Sequence, residues 1–396
     1  MDQPVGRFAE RISHLAPEGA YEVLARAQAL EAVGRDIIHL EIGQPDVPTF
    51  SNVARAGVRA IQEGRTRYNP PSGVAALREA IAEDVGRRRG IDVKPSEVVV
   101  APGAKPMLFF PTMALVEPGD EVIYPDPGFP TYAAMIGVAG GVPVPVRLRE
   151  ETDFAFDLEA FDGAISDRTR LIILNSPSNP TGGVLAESVL EHIAAAAKRH
   201  DAWVLSDEIY VRLTFGGVSA PSIAALDGMR ERTVICDGFS KTYAMTGWRL
   251  GYGVMPESLA ERLGLLLTHS VGCTATFTQY AGLAGLTGPQ GQVDEVVAEY
   301  QHRRDVLVDG LNAIAGVSCQ RPQGAFYTFP NITSFGQSSE WMADYLLKEA
   351  GVAVLPGTAF GVGGEGYLRL CFANSLERIQ AALTRIDDAL SKLDKA

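Results

Sequence analysis

The chain has 396 residues, of which 46% are hydrophobic and 21% are charged, and these fractions are typical of a globular protein with room for about two or three domains. Its 35 Lys and Arg residues against 48 Asp and Glu residues give a net charge of −13, which disfavours nucleic acid and anionic membrane surfaces as partners. Because no apolar stretch is long enough to span a membrane or to act as a secretory signal, we expect no membrane association and a cytoplasmic location.

Short runs of Val, Ile and Leu alternate with helical stretches over the first two thirds of the chain. The runs are continuous rather than alternating, which predicts strands buried on both faces, as in a mostly parallel sheet covered by helices. Between the fourth and fifth runs, the apolar residues Leu190 and Ile193 lie on one face of a predicted helix, which indicates a strand–helix–strand unit. The predicted strands are 97–101, 121–124, 142–148, 171–175, 202–207, 233–237 and 249–254.

The last third of the chain has a different pattern. After a turn-rich stretch at 288–291, a long charged helix is predicted over 295–312, and it is followed by short strand-like segments and a final amphipathic helix. We therefore predict an α/β fold with two domains. A large domain over 46–290 carries a mostly parallel, seven-stranded sheet covered by helices, and a small α+β domain combines 1–45 with 291–396.

Candidate ligand-binding residues follow five of the predicted strands. In an open parallel sheet, ligands bind beyond the carboxyl ends of the strands, so we expect these residues to meet at one edge of the sheet. They are Gly103, Ala104 and Lys105 after the first strand, Phe129 after the second, Asn179 after the fourth, Asp207 and Tyr210 after the fifth, and Ser240 and Lys241 after the sixth.

These residue types suit a cofactor that has an aldehyde, an aromatic ring and a phosphate. Burial can lower the pKa of the Lys241 amine and free it to form a Schiff base. Asp207 can keep a pyridine nitrogen protonated, which makes the ring an electron sink. The other predicted contacts are hydrogen bonds to a ring hydroxyl from Tyr210 and Asn179, stacking by Phe129, and phosphate binding by Gly103, Ala104 and Arg249.

Each of these residues has a more ordinary interpretation when it is considered alone. A lysine after a strand is usually a solvated loop residue, and an aspartate there is more often a helix N-cap. The NPTG sequence at 179–182 is a common turn. The functional interpretation depends on their joint occurrence at successive strand ends.

Residues 361–366, with the sequence GVGGEG, match the dinucleotide-binding pattern G-x-G-x-x-G. That pattern requires a strand before it and a helix after it, whereas a strand-like segment follows here, so we predict a glycine-rich loop. The four separated cysteines and the six histidines show no metal-ligand spacing, and we expect no metal site.

Eight segments resemble class I aminotransferases of the aspartate aminotransferase superfamily, which are fold type I enzymes that use pyridoxal 5′-phosphate. They occur in the family's order and extend over nearly the whole chain. The segments are IGQPD at 42–46, YNPPSG at 68–73, PGAK at 102–105, NSPSNPTGG at 175–183, SDEIY at 206–210, SKTYAMTGWRLGY at 240–252, GAFY at 324–327 and YLRLCFA at 367–373.

The resemblance implies a homodimer with shared active sites that transfers amino groups between amino acids and 2-oxo acids by a ping-pong mechanism. Lys241 would form the Schiff base and carry the proton, Arg369 would bind the substrate α-carboxylate, and Gly43 would close over the substrate. Tyr68 would reach the phosphate bound by the other subunit. The implied catalytic residues are Lys241, Asp207 and Tyr210, and the remaining cofactor contacts are those of Gly103, Ala104, Lys105, Phe129, Asn179, Ser240 and Arg249, with Asn179 also touching the substrate.

Two positions leave alternatives open. Gly238 occupies a position where many relatives have a serine that binds the phosphate, so that hydrogen bond is missing or is supplied by Ser240. Lys105 either binds the distal carboxylate of an acidic substrate or is a lysine on the phosphate side or the surface.

Two other functions remain as alternatives. The same cofactor-binding residues would serve β-elimination, γ-elimination or oxidation on the same fold. A regulator that senses the cofactor would need an attached DNA-binding module, for which the matched segments leave no room, and the net charge is unfavourable for it. The sequence therefore favours an enzyme.

Overall fold

The computed structural model describes residues 9, 11–12, 15 and 17–393. Within that part of the chain, the helices are α1 (Gly19–Ala32), α2 (Ser51–Gln62), α3 (Ala75–Arg89), α4 (Lys105–Leu115), α5 (Thr131–Ala139), α6 (Leu158–Ala164), α7 (Glu187–Arg199), α8 (Glu257–Thr268), α9 (Thr276–Thr287), α10 (Gly291–Ala313), α11 (Ser339–Tyr345) and α12 (Leu376–Leu390). The strands are β1 (Ile38–His39), β2 (Val98–Ala101), β3 (Glu121–Asp126), β4 (Val142–Arg149), β5 (Ala155–Phe156), β6 (Thr169–Asn175), β7 (Trp203–Asp207), β8 (Thr233–Gly238), β9 (Gly251–Val254), β10 (Tyr327–Thr328), β11 (Val352–Ala353), β12 (Leu355–Pro356) and β13 (Leu368–Cys371).

The large sheet has the strand order β2-β9-β8-β7-β6-β3-β4-β5. All seven predicted strands are present in it, and the two-residue β5 adds an eighth at one edge. The pairs from β8 to β4 are parallel, whereas β9 is antiparallel to both of its neighbours. Pro143 and Pro145 suit the outer strand β4, because a proline has no N–H to donate to a further strand.

Both faces of this sheet are buried, as the continuous apolar runs predict. Val99 packs on the face covered by α4, α5 and α8, whereas Val98 and Val100 pack on the opposite face against α3 and α9. The predicted crossover helix is α7, and its Leu190 and Ile193 pack on the sheet, which confirms the strand–helix–strand unit. The sheet is therefore the middle layer of three.

The C-terminal third is built around α10 and α12, which pack on a three-stranded sheet of order β10-β13-β12. The predicted long helix is confirmed and begins at Gly291. β1 pairs with β11, so the residues before the first large-sheet strand are tied to the C-terminal region. The division at 46 and 290 stays a prediction.

Residues 361–366 form a loop of short 3-10 turns between β12 and β13 rather than a strand-to-helix turn. The Gly363 N–H donates to both carboxylate oxygens of Asp126 at 3.0 Å, and the Gly128 N–H donates to the Phe360 carbonyl at 2.8 Å. A Cβ on Gly361 would overlap the Asp126 carboxylate. The loop thus binds a carboxylate of the protein itself at the end of β3.

Over the described residues, none of the helices combines the length and the apolar character that crossing a membrane requires.

Candidate active site

The carboxyl ends of β2, β3, β6, β7 and β8 lie along one edge of the large sheet, where they border a cleft of about 1370 Å³. Because β9 is antiparallel, its amino end reaches the same edge, and Arg249 lies just before it. The structure brings eleven of the predicted residues to this cleft: Gly43, Ala104, Lys105, Phe129, Asn179, Asp207, Tyr210, Ser240, Lys241, Arg249 and Arg369.

Lys241 lies three residues beyond the end of β8, and its side chain points into the cleft. Its Nζ donates to the Gly43 carbonyl at 2.6 Å and lies 5.8 Å from the ring centroid of Tyr210 and 5.4 Å from that of Phe326. Burial is the main cause that lowers the pKa of the Lys241 amine to about 8. A larger fraction of this amine is therefore uncharged near neutral pH than for an exposed lysine.

Asp207 is the last residue of β7 and only 5% of it is exposed. Its Oδ2 accepts a hydrogen bond from the Tyr132 hydroxyl at 2.8 Å, and its Oδ1 accepts one from the Ile209 N–H at 3.3 Å. Burial raises the pKa of the Asp207 carboxyl to about 6, and the charges of Asp237 and Glu208 act in the same direction. A cation beside this carboxyl would stabilise its ionised form.

A buried charge cluster lies next to Asp207, on the side that faces away from the cleft. Arg89, at the end of α3, donates to Glu208 through Nε and to Asp237 through Nη2 at 2.9 Å. Tyr252 donates to the same Asp237 oxygen at 3.0 Å. One guanidinium therefore balances two carboxylates that would otherwise be buried without a counter-charge.

Two asparagines and Arg369 connect the end of β6 to the C-terminal sheet. Asn175 donates to the Asp207 carbonyl at 3.0 Å and accepts the Asn179 N–H at 2.7 Å. Asn179 in turn accepts a hydrogen bond from Arg369 Nη1 at 3.0 Å. The Arg369 side chain thus reaches the cleft from β13 and is fixed beside the end of the large sheet.

Arg369 is 4% exposed, and its guanidinium carbon lies 4.3 Å from the ring centroid of Tyr327. Its Nη2 donates to the Glu41 carbonyl, but its Nε has no hydrogen-bond partner among the described residues. Tyr327 also shares a hydrogen bond of 2.8 Å with Tyr210. A buried guanidinium with an unused donor is suited to binding a carboxylate.

Close backbone contacts form the end of the cleft where α4 begins. Gly103 has a φ of +99°, and a Cβ there would overlap the Arg249 guanidinium. A Cβ on Gly251 would overlap the backbone of Gly103 and Ala104. The first N–H groups of α4 and the exposed Arg249 therefore meet at one place, which is an arrangement that binds a phosphate.

Gly238, the position where the resemblance expects a serine, lies where β8 and β9 come close together. A Cβ on Gly238 would lie 3.1 Å from the Gly251 Cα and 3.2 Å from the Leu250 carbonyl. Its N–H donates to the Asp237 side chain at 2.6 Å. A side chain there would therefore require one of these neighbours to shift by a few tenths of an ångström. Ser240 lines the cleft nearby.

Phe129 and Lys105 lie near the opening of the cleft. The Phe129 ring packs edge-to-face on Tyr132, with 5.8 Å between ring centroids, and Lys105 Nζ lies 5.2 Å from the centroid of Phe129. Lys105 also forms an ion pair with Glu18, just before α1. Tyr68, by contrast, is 97% exposed and does not line the cleft of its own chain.

Sequence reasoning missed four side chains that contact the predicted residues. Two of them could have been found from the sequence, because Asn175 ends a predicted strand and Tyr327 belongs to the matched segment GAFY. Tyr132 lies one helical turn after Phe129 and points back to Asp207. Glu18 carries no signal in the sequence, because its partner Lys105 is 87 positions away.

Comparisons with known proteins identify the family of the chain. The family model "Aminotransferase class I and II" matches residues 35–386. The chain is 38% identical to an aspartate aminotransferase of Bacillus subtilis over 98% of this chain and 99% of that one, and 37% identical to aromatic-amino-acid aminotransferase 2 of Thermococcus litoralis over 97% and 98%. Among solved structures, aspartate aminotransferase from Thermus thermophilus with maleate superposes with a TM-score of 0.93 at 37% identity, covering 98% of this chain and 100% of that one. The chain therefore belongs to the class I and II aminotransferases, which are fold type I transaminases that depend on pyridoxal 5′-phosphate.

Proposed function

We propose that this chain transfers the amino group of an L-amino acid to a 2-oxo acid in two successive half-reactions at the described cleft, by a ping-pong mechanism. The observation that carries the proposal is the placement of a lysine amine of lowered pKa, Lys241, in the same cleft as the buried carboxylate of Asp207 and the buried guanidinium of Arg369.

The residues present fit pyridoxal 5′-phosphate at three separate points. The start of α4 and Arg249 suit the phosphate. The positive charge of a protonated ring nitrogen would lower the pKa of Asp207, which burial raises. The lowered pKa of Lys241 leaves its amine free to react with an aldehyde. When bound, the cofactor supplies an aldehyde that combines with amines and a ring that accepts electrons from the α-carbon.

The proposed roles of the binding residues follow from their positions. Asp207, held by Tyr132, keeps the ring nitrogen protonated, and Tyr210 and Asn179 donate hydrogen bonds to the ring oxygen. Phe129 packs on the ring face, and Gly103, Ala104, Ser240 and Arg249 hold the phosphate. Arg369 fixes the substrate α-carboxylate through its free donors, and this orients the α-carbon towards Lys241.

Lys241 is the proposed acid–base residue. Once a substrate amine has taken its place, its Nζ would accept the α-proton and would return it to the carbon that the cofactor's aldehyde supplies. A pKa of about 8 is suited to both directions of this transfer at neutral pH. The Gly43 carbonyl, 2.6 Å from Nζ, holds the amine at the place where the proton moves.

We further propose that the active unit is a homodimer. Tyr68 is 97% exposed, although aromatic side chains are usually partly covered. A second copy of the chain that covers this surface would receive the Tyr68 hydroxyl at its phosphate. Each active site would then contain residues of both subunits.

Elimination and oxidation on the same fold are the competing functions. Their cofactor contacts would be the same, so the names of the compared proteins, all of them aminotransferases, are what favours transamination. The products separate transamination from both alternatives, because a lyase or an oxidase releases ammonia, whereas a transaminase retains the nitrogen.

The test is a single half-reaction without an acceptor. The cofactor-loaded protein is mixed with a panel of amino acids, and the loss of cofactor-aldehyde absorbance is followed together with the released 2-oxo acid. We expect one 2-oxo acid per active site and no ammonia, and catalytic release of ammonia would establish elimination or oxidation instead. Lys241→Ala should reduce the rate to the uncatalysed background, and half-reaction turnover retained by this variant would contradict the proposal.

A further inference from the structure

The opening of the cleft contains an ion pair that the proposed function does not use. Lys105 Nζ donates to Glu18 Oε1, and both side chains line the cleft. Glu18 is the N-cap residue of α1, but its side chain forms no capping hydrogen bond. Helix capping therefore does not explain the position of the Glu18 carboxylate, whereas the contact with Lys105 does.

Among the described residues, the charged side chains that line the cleft are Glu18, Lys105, Asp207, Lys241, Arg249 and Arg369. The last four have roles in the proposed function. Asp207 contacts the ring nitrogen and Lys241 supplies the reacting amine. Arg249 binds the phosphate and Arg369 binds the α-carboxylate. Lys105 and Glu18 remain, and their charges cancel. Within the described part of the wall, a second substrate carboxylate would therefore meet no cation that lacks a partner.

The first turns of α1 bring uncharged side chains to the same opening. Ala20, Tyr21 and Leu24 line the cleft beside Glu18, and Ile42 and Val47 line it from the segment after β1. Tyr21 is 64% exposed, so an apolar substrate group could cover it and remove apolar area from water. This wall is suited to a large uncharged side chain.

We propose that Glu18 determines specificity: by neutralising Lys105, it makes the cleft select amino acids with large uncharged side chains, above all aromatic ones, over acidic amino acids. The inference rests on the proposed function, since it concerns the side chain of the transaminated substrate. An acidic side chain would bring a second carboxylate to one ammonium group, so either the substrate or Glu18 would lose its partner.

Glu18→Gln tests this proposal because it removes the charge and keeps the shape. The measurement is the ratio of half-reaction rate constants for aspartate and phenylalanine, which should be below one in the native enzyme. The substitution should raise this ratio about threefold to fivefold, the range expected for one partly exposed charge pair. Calorimetry provides a second readout, in which succinate should bind more tightly to the variant while 3-phenylpropanoate gains no comparable affinity.

The matched control is Glu22→Gln. Glu22 lies one turn further along α1, is exposed and lines a different groove, so its loss changes the net charge equally but should leave the ratio unchanged.

In a Lys105→Gln background, Glu18→Gln should lose most of its effect on the ratio, because the cation that Glu18 masks is gone. Lys105→Gln alone should lower the aspartate-to-phenylalanine ratio below its native value. This variant can be measured even if Glu18→Gln does not fold.

The outcomes separate the two proposals. If the native enzyme prefers aspartate, or if Glu18→Gln changes neither the rate ratio nor succinate binding, the role of Glu18 is wrong while transamination stands. If no amino acid of the panel reacts with the native enzyme, the proposed function fails. In that case, or if only other amino acids react, the succinate titrations of the native and Glu18→Gln proteins still decide whether Glu18 masks Lys105.

Discussion

The inner wall of the cleft consists of Asp207, which lines it, and of the charged residues Arg89, Glu208 and Asp237, which are packed behind Asp207; each of the four is at most 7% exposed. The mouth of the cleft, formed by Glu18, Lys105 and Arg249, is in contact with solvent, and the Lys105 side chain is 47% exposed. Charges at the inner wall are held by several protein hydrogen bonds, whereas those at the mouth have one ionic partner or a backbone carbonyl. Folding thus fixes the groups with the proposed cofactor-binding role, and the groups proposed to meet the variable part of a substrate can change at little cost in stability.

The largest effect on stability is expected at the inner wall. Arg89→Met keeps the length of the side chain but leaves Glu208 and Asp237 buried without their cation, which should lower the free energy of unfolding by about 3–5 kcal/mol. Urea denaturation of the apoprotein measures this loss. Arg87→Met on the same helix is the control, because the Arg87 side chain is 63% exposed and its ion pair should contribute less than about 1 kcal/mol. Equal losses for the two variants would contradict the distinction between the wall and a surface pair.

Asp207→Asn should affect activity and stability in opposite directions. Loss of the charge beside the ring nitrogen should lower the half-reaction rate by about 10²- to 10³-fold, as for other preorganised electrostatic contacts. Single-turnover kinetics on the loaded enzyme measure this rate, and a loss below about tenfold would contradict the proposed role.

The stability of the apoprotein follows from the raised pKa of Asp207, about 6 against an ordinary value of 3.8. The fold favours the protonated acid, so this group makes the apoprotein less stable as the pH rises from about 4 to 6. The Asn variant lacks that dependence and should be more stable than the native apoprotein at pH 7 by about 3 kcal/mol. Unfolding curves at pH 5 and pH 7 check this, and an unchanged pH dependence would show that Asp207 titrates normally.

A smaller effect is expected at the outer surface. Tyr68→Phe removes one proposed hydrogen bond to phosphate across the dimer, so cofactor affinity should fall by about 0.5–1.5 kcal/mol, or roughly twofold to tenfold. Equilibrium dialysis of the cofactor measures this change. Tyr345→Phe is the control, since its hydroxyl donates to the Ala389 carbonyl, outside the cleft. Equal affinity of the native and Tyr68→Phe proteins would remove the support for shared sites.

The sequence predicted the site residues that follow the strands better than the charged residues that pack around them. Asp207 and Lys241 follow buried strands, and burial on both faces produces continuous apolar runs that are easy to recognise. Arg89 was missed because it ends a run of three arginines on α3, a pattern typical of a solvated surface, and only the helix orientation turns it inwards. Glu18 was missed because tertiary packing alone brings α1 to α4.

The orientation of β9 was also not predictable from its composition, because parallel and antiparallel strands within a covered sheet have the same apolar pattern. This orientation matters for the site, since it brings the amino end of β9, and Arg249 with it, to the edge where the other strands end. The sheet was therefore recognisable from the sequence, whereas part of the proposed phosphate-binding geometry depends on a reversal that only the structure shows.

The hydrogen bonds between the end of β3 and the loop at 361–366 have a consequence for molecular recognition. Asp126 and Gly128 precede Phe129 in the chain, and the loop precedes β13, which carries Arg369. The separation between the Phe129 surface, which is proposed to receive a planar ring, and the Arg369 guanidinium, which is proposed to receive a carboxylate, is therefore set partly by contacts beyond the cleft lining. The glycine-rich segment acts as a spacer of fixed length between two recognition points, so a change of its length would alter which ligands span both points without replacing any residue that touches them.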